Sequence, residues 1–102
     1  MVIAFGPKKD AINRSRHGLS LAFAEQFDWT TARYQAARTV NGEPRDKVLA
    51  LVDGRLYAGI FTRRGLVFWM ISVRPASRKE RREYAGKTEV RRSRRREPGM
   101  DA

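Results

Sequence analysis

The chain has no cysteine and only one histidine among its 102 residues. Without cysteine it can form neither a disulfide nor a thiolate metal site, and a single histidine makes a zinc site of the usual kind hard to assemble. No apolar run reaches membrane length, and residues 1–5 are too few for the apolar region of a signal peptide. We therefore expect a cytoplasmic protein that uses no metal and no other cofactor.

Acidic residues are scarce as well: 11 Asp and Glu stand against 22 Lys and Arg, a formal net charge of +11. Arginine supplies most of the positive charge, and a guanidinium can bind a phosphate through two parallel hydrogen bonds. This composition favours nucleic acid or an acidic protein as the partner, and a solvated charged surface is the alternative. Because 41% of the residues are apolar, the chain can still fold as one domain.

The first third of the chain predicts one short strand and two helices. Residues 2–5 are the strand candidate. Pro7 suits the first position of a helix, which should end near His17 because Gly18 provides a left-handed stop. A second helix, with a buried apolar face, is expected over residues 20–27.

The middle of the chain predicts an antiparallel meander. Its strands are expected over residues 31–40, 47–52, 55–62 and 66–73. Asp53-Gly54 is a strong hairpin signal, whereas Asn41-Gly42 with Pro44 indicates a turn or an open loop. The last strand is almost wholly apolar and rich in β-branched and aromatic residues, which is typical of a central strand.

A capping box marks the last predicted helix. Ser77 and Glu80 are three residues apart, so each side chain can bond the backbone N–H of the other. The helix carries four cations, Arg78, Lys79, Arg81 and Arg82. It is expected to end at Gly86. The chain thus divides into a domain over residues 1–86 and a basic tail, 87–102, that is expected to be disordered or a frayed helical extension.

Residues at both ends of this domain form two motifs. Near its start stand Pro7, Lys9, Asn13 and Arg16-His17-Gly18, and near its end stand Ile71-Ser72, Arg74, Ala76, Glu80 and Tyr84. With Gly42-Glu43, Arg45 and Thr62 between them, these residues resemble the patterns PxKxxxNxxKHG and IISARxAxxxExxxY of the BrnT family, toxins of bacterial type II toxin–antitoxin systems. The resemblance covers about residues 3–85. The chain departs from the family at Gly6, where the family has Asp, and at Trp69, where the family often has a basic residue.

The resemblance implies a RelE-like α+β fold with a short N-terminal strand, two N-terminal helices, an antiparallel β-meander and a C-terminal basic helix. It also implies a ribonuclease that inhibits translation and is neutralised by a BrnA-like antitoxin, through which alone it would contact promoter DNA. Two functions of other classes remain open, a non-catalytic co-repressor subunit and a general RNA-binding module. No membrane role is expected, because no predicted helix has the apolar face that a lipid surface requires.

RNA cleavage without a metal would use the ribose 2′-hydroxyl as the nucleophile. The protein must then supply a proton acceptor, cations for the phosphorane charge and a donor for the leaving oxygen. From their types and their match to the family's motifs, the candidate catalytic residues are Glu43, Arg45, Arg64, Arg74 and Tyr84. The candidate RNA-binding residues are Lys47, Arg63, Trp69, Arg78, Arg81 and Arg82.

Three of the catalytic candidates have a structural alternative. Glu43 is either the proton acceptor or a solvated acid in a loop. Arg74 either binds phosphate or pairs with a carboxylate such as Glu80 or Glu83. Tyr84 either serves as a donor or stacking surface, or packs against the sheet with its hydroxyl in water.

The remaining candidates have alternatives too. Trp69 is either part of the core or open on one side, where it could stack on a base. His17 is a candidate general base because imidazole exchanges protons readily, but a place at a helix C-terminus equally favours a structural role. The cations of the last helix cannot all face one site, so they favour electrostatic steering over chemistry.

Overall fold

The computed structural model describes residues 1–86, so the predicted tail over residues 87–102 lies outside the described residues. The fold is α+β, with five strands in one sheet of order β1-β5-β4-β3-β2. The strands are β1 (Val2–Ala4), β2 (Arg33–Val40), β3 (Glu43–Val52), β4 (Arg55–Arg64) and β5 (Val67–Pro75). The helices are α1 (Pro7–His17), a 3₁₀ helix (Leu21–Gln26) and α2, which is helical over residues 78–86.

Helix α1 begins and ends as the sequence predicts. Pro7 occupies its first turn, and Gly18 adopts a left-handed conformation with φ of 72°. The Gly18 N–H donates to the Arg14 carbonyl at 2.9 Å, which closes the last turn. Gly6 precedes the helix without a side chain to cap it.

The predicted second α-helix is instead the shorter 3₁₀ helix, so that prediction was wrong in type. Its buried residues are Leu21 and Ala24, and Phe27 directly after it is buried as well. These side chains recur every three residues, which is the period that aligns side chains on a 3₁₀ helix. Ser20 does cap it, as predicted, because its Oγ accepts from the Ala22 N–H at 3.1 Å.

The sheet is mixed and not wholly antiparallel, because β1 runs parallel to β5, with Val2 opposite Val67. Strands β2 to β5 form the predicted antiparallel meander. Helix α1 and the 3₁₀ helix carry the chain from β1 at one edge to β2 at the other. This crossing leaves β1 beside the last strand, and β5 becomes an interior strand, in agreement with its apolar sequence.

Two tight hairpins set the strand boundaries. Asp53-Gly54 forms the predicted turn, with φ of 50° and 79°. Asn41-Gly42 forms an equivalent turn, with φ of 51° and 77°, so β3 begins at Glu43 and includes Pro44, earlier than expected. Leu66 lies in a turn and is 89% exposed, and the last strand therefore starts one residue later than predicted.

The capping box of α2 is confirmed. The Glu80 N–H donates to Ser77 Oγ at 3.1 Å, and the Ser77 N–H donates to Glu80 Oε1 at 2.8 Å. Gly86, which was expected to end the helix, is itself helical. No helix within residues 1–86 is both long and apolar enough to span a bilayer.

The two faces of the sheet differ in character. One face, the core face, packs Val48, Phe61 and Met70 against the 3₁₀ helix and Phe27. The opposite face, called the cationic face below, carries Arg45, Lys47, Arg64 and Arg74, together with Ile60, Thr62, Trp69 and Ser72. The register settles this assignment, since Lys47 lies opposite Ile60, Ile60 opposite Ser72 and Arg74 opposite Ala58. Helices α1 and α2 both contact the cationic face.

Candidate functional site

Glu80 is the most heavily bonded acid on the cationic face. It is 4% exposed, and its two carboxylate oxygens accept from Arg74 at 2.7 and 2.8 Å. Lys47 Nζ adds a third bond at 2.8 Å, beside the capping bond from Ser77. The Arg74 guanidinium, ahead of the opposing effect of burial, holds the pKa of Glu80 far below its ordinary value. This cluster fastens α2 to strands β3 and β5.

The positive charges of Arg74 and Lys47 are therefore compensated within the fold. Hydrogen bonds to Glu80 raise the pKa of Arg74, which is the mark of a stable ion pair. The partner is Glu80 and not Glu83, of the two acids considered for this arginine. A role of Arg74 or Lys47 in binding RNA stays a prediction.

A second ion pair lies at the other end of this face. Arg64 donates to both oxygens of Glu43, at 3.0 and 3.2 Å. These bonds lower the pKa of Glu43, and Arg45 adds a smaller electrostatic contribution. Glu43 is the first residue of a strand and not part of a loop. A carboxylate held in this way is ionised at neutral pH, but it is a weaker proton acceptor than a solvated one.

Trp69 faces the same side of the sheet as this ion pair. The Arg64 guanidinium lies over its ring, 4.9 Å from the centroid. The indole is half-buried and stands outside the aromatic core formed on the other face. Trp69 therefore lies on the face opposite the aromatic core, and its role in stacking on a base stays a prediction.

Arg45 lies between the two ion pairs and lines a cavity of about 420 Å³ between α1 and the sheet. The lining residues are Lys9, Ile12, Asn13, Arg16, His17, Ala37, Arg38, Arg45, Ile60, Ile71 and Ser72. No carboxylate is among them. Arg45 Nε is buried and has no hydrogen-bond partner among residues 1–86. An unpaired buried donor costs about 1–3 kcal/mol, which an incoming acceptor would recover.

Apart from His17, which was considered as a general base, sequence reasoning did not assign any residue of α1 to the site. Lys9, Asn13, Arg16 and His17 all line it, and their spacing of i, i+4, i+7 and i+8 places them on one side of the helix. That spacing is visible in the sequence and could have indicated that these four side chains share one side of the helix. Asn13 is also the anchor of the helix: its Nδ2 donates to the Val73 carbonyl at 2.8 Å, and its Oδ1 accepts from the Val73 N–H at 3.0 Å.

Tyr84 lies apart from the cavity. Its hydroxyl donates to the Thr31 carbonyl at 3.2 Å, and the Arg33 guanidinium sits 5.6 Å from its ring centroid. It lines a separate groove with Leu51, which is six residues along β3 from Arg45, or about 20 Å. The structure therefore places Tyr84 away from Arg45, and its catalytic role stays a prediction.

The remaining RNA-binding candidates are dispersed. Arg63 lies on the core face, 3.4 Å from Asp46 and over the ring of Phe68. It therefore points away from its neighbour Arg64. The α2 cations Arg78, Arg81 and Arg82 are exposed, and Arg81 also donates to a backbone carbonyl.

One face thus collects most of the predicted site: Glu43, Arg45, Lys47, Arg64, Trp69 and Arg74. Residues 1–86 contain no group of three or more His, Cys, Asp or Glu side chains placed to hold a metal ion. The face offers cations for an anionic substrate, one carboxylate in an ion pair beside Arg45, and one histidine on the cavity wall.

Comparison with known proteins agrees with this chemistry. The family model described as ribonuclease toxin, BrnT, of type II toxin-antitoxin system matches residues 5–80, about three quarters of the chain. No curated protein matches the chain significantly. The matched segment contains every strand from β2 to β5, helix α1 and the start of α2. The chain therefore belongs to the BrnT family of ribonuclease toxins of type II toxin–antitoxin systems.

Proposed function

We propose that this protein is an endoribonuclease that cleaves RNA bound to the cationic face, needs no metal ion, and inhibits translation. The observation that supports this most directly is Arg45, whose buried Nε lacks a partner in a cavity lined by cations. Within residues 1–86, Arg64 and Arg74 are each paired with a carboxylate, whereas Arg45 is in no ion pair. A phosphate oxygen is the acceptor best suited to this guanidinium.

The proposed reaction is a transfer of the phosphoryl group within the RNA. The ribose 2′-hydroxyl loses its proton and attacks the adjacent phosphorus, and the bond from phosphorus to the 5′-oxygen breaks. The products are a 2′,3′-cyclic phosphate and a 5′-hydroxyl end, and the leaving oxygen takes up one proton. Arg45 stabilises the negative charge that builds up on the phosphorus oxygens. Arg64 and Arg74, at the two ends of the face, hold flanking parts of the strand.

Two groups near Arg45 are able to move the proton. Glu43, whose pKa is lowered by Arg64, is ionised at neutral pH, so its carboxylate can accept the proton of the 2′-hydroxyl. His17 lines the same cavity as Arg45, and an imidazole can accept one proton and donate another. Glu43→Gln and His17→Gln separate these roles, because only loss of the acting group removes the corresponding limb of the pH–rate profile.

In this proposal Arg64 supplies the positive charge that the family often carries at the position of Trp69. The Arg64 guanidinium lies over the Trp69 ring, so a cation from β4 reaches the position where the family often has a basic residue. The ring itself supplies a flat surface on which an RNA base can stack.

The proposal extends to fold family and partners. We infer a RelE-like arrangement of the sheet and its helices, and a BrnA-like antitoxin that covers the cationic face until it is degraded. Promoter DNA would be contacted only through that antitoxin. An enzyme that acts on translated RNA works in the cytoplasm.

A cleavage assay with the purified chain and a labelled RNA tests the proposal. In the presence of EDTA we expect fragments with 2′,3′-cyclic phosphate ends, and Arg45→Gln should lower the rate about 10²–10³-fold. Arg55→Gln is the control, since Arg55 is an exposed cation at the opposite end of β4 from Arg64. Absence of cleavage by the wild type, or a rate for Arg45→Gln within a few-fold of the control, would refute the assignment.

A non-catalytic co-repressor is the second candidate, and one observation favours it. Both oxygens of Glu43 are bound by Arg64, so the predicted proton acceptor is engaged within the fold. Expression of the chain without antitoxin distinguishes the two functions. Growth arrest with degraded RNA indicates the enzyme, whereas normal growth with intact RNA indicates the co-repressor.

A further inference from the structure

Besides Arg45 on β3, two elements contribute cations to the cavity. Lys9 and Arg16 come from α1, and Arg38 comes from β2. Apolar side chains such as Ile60 and Ile71 share the lining, while Lys9, Arg16 and Arg38 themselves are exposed to solvent. The result is a concave site of one sign of charge, which concentrates anions.

Within residues 1–86, the carboxylates of Asp10, Glu43, Asp46 and Glu80 form ion pairs, and none of the four lines the cavity. The ion pairs within residues 1–86 are Arg14–Asp10, Lys47–Glu80, Arg63–Asp46, Arg64–Glu43 and Arg74–Glu80. Helix α1 shows the contrast within a single element: Arg14 pairs with Asp10, whereas Lys9 and Arg16 make no ion pair with any described residue. Among residues 1–86, the cavity residues Lys9, Arg16 and Arg38 are therefore in no ion pair, while Arg45 interacts electrostatically with Glu43.

The walls of the cavity are held in place by the fold. Asn13, which is 3% exposed, bonds both backbone groups of Val73 and so fixes α1 against β5. On the other side the register of β2 shifts between Ala36 and Thr39. The bulge turns Ala37 and Arg38 toward the cavity. Cations on fixed walls bind a small anion without first ordering a loop.

We propose that this cavity binds an RNA backbone phosphate next to the one that is cleaved, with Lys9, Arg16 and Arg38 as its ligands. The inference rests on the proposed ribonuclease function and adds to it a site on α1 and β2. Arg45 lies between the bound phosphate and the scissile one, so the cavity sets the register of the RNA on the sheet. A phosphate has acceptors on all sides, which suits donors that reach it from two elements.

The test is the binding of a labelled RNA with 2′-O-methyl groups, which cannot be cleaved, measured by fluorescence anisotropy at several salt concentrations. Lys9→Gln and Arg38→Gln should each weaken binding about tenfold. Each should also reduce the slope of log affinity against log salt by about 0.7, the value for one phosphate contact on a single strand. Lys8→Gln is the matched control, because Lys8 is the exposed neighbour of Lys9 on α1 and does not line the cavity.

Competition with inorganic phosphate and with poly-glutamate tests whether the cavity is specific for an RNA phosphate. Inorganic phosphate at constant ionic strength should displace the RNA only weakly, because it lacks the neighbouring phosphates that bind Arg45. If it binds as tightly as the RNA, the cavity takes free phosphate and the proposal is overturned. Preferential binding of poly-glutamate over RNA, with the same loss in Lys9→Gln, would assign the cavity to an acidic protein and also overturn it.

The cleavage assay separates this inference from the function on which it rests. If the wild type cleaves RNA while Lys9→Gln and Arg38→Gln bind it as Lys8→Gln does, the phosphate site is wrong and the ribonuclease stands. If the wild type does not cleave RNA but both cavity variants still bind it more weakly, the ribonuclease is wrong and the phosphate site stands.

Discussion

Replacing Glu80 by glutamine removes the negative charge that joins α2 to the sheet. Arg74 and Lys47 would then face each other without a carboxylate between them, on side chains that are 33% and 20% exposed. Breaking a buried ion pair by removing one partner costs about 3–5 kcal/mol, and the partial exposure of the arginine favours the lower end. We expect a loss of about 3 kcal/mol in the free energy of unfolding, a large share of the roughly 5–15 kcal/mol typical of a domain.

Urea unfolding of the wild type and of Glu80→Gln at several pH values measures this loss. The folded-state pKa of Glu80 lies below its ordinary value of 4.5, so its stabilisation is complete above about pH 4.5 and is lost as the pH falls below that value. The difference between the two proteins should therefore be largest at neutral pH and shrink in acid. Glu83→Gln, on the same helix and without an ion pair among the described residues, is the control and should change stability by less than about 0.5 kcal/mol. Equal stability of the two variants at pH 7 would refute the role given to Glu80.

Three further substitutions test other parts of the structure. Asn13→Ala leaves the buried N–H and carbonyl of Val73 unpaired, and urea unfolding should show a loss of about 2–4 kcal/mol in the free energy of unfolding. A loss below about 1 kcal/mol would show that these two bonds are not what fixes α1 to β5. Gly59→Ala places a Cβ 3.1 Å from side-chain atoms of Met70, Phe27 and Val48. Calorimetry should show about 1–3 kcal/mol of destabilisation, and an unchanged stability would show that these side chains can move aside. Trp69→Ala should keep its cooperative unfolding and weaken RNA binding roughly tenfold or more, as loss of one stacked base does; loss of the fold would place the ring in the core after all.

The features that depend on a few neighbouring residues were predictable from the sequence. The capping box of Ser77 and Glu80, the Asp53-Gly54 turn and the Pro7 to Gly18 limits of α1 all follow from local backbone chemistry. The apolar run of β5 correctly indicated an interior strand.

Features that depend on which elements meet were not predictable in the same way. Nothing in residues 2–4 indicates a parallel partner, because that pairing depends on the path of the whole chain. Arg63 and Arg64 had to face opposite sides, but only the register shows that Arg64 shares a face with Arg45. The cavity arises where α1 meets a bulge of β2, and a bulge leaves no clear trace in sequence.

The contacts within the candidate site also depend on which elements meet, so they were not predictable from the sequence. Residue type made Arg45, Arg64 and Arg74 candidate phosphate ligands, but it did not show that Arg64 and Arg74 are each paired with a carboxylate. Pairing partners distant in sequence, such as Glu43 and Arg64, are set by the hairpin register. That Arg45 has no carboxylate partner within residues 1–86, unlike Arg64 and Arg74, is visible only in the folded chain, and the buried Nε of Arg33 likewise has no partner there.

The central claim is that RNA lies on the cationic face and not on the opposite face of the same sheet. The arginine Nε–Hε signals in ¹⁵N nuclear magnetic resonance spectra report each guanidinium separately, and a 2′-O-methyl RNA can be titrated without cleavage. We predict that the Arg45 and Arg64 signals shift at low RNA concentration while the Arg63 signal, on the core face, stays in place. A shift of Arg63 with no change at Arg45 would contradict the account.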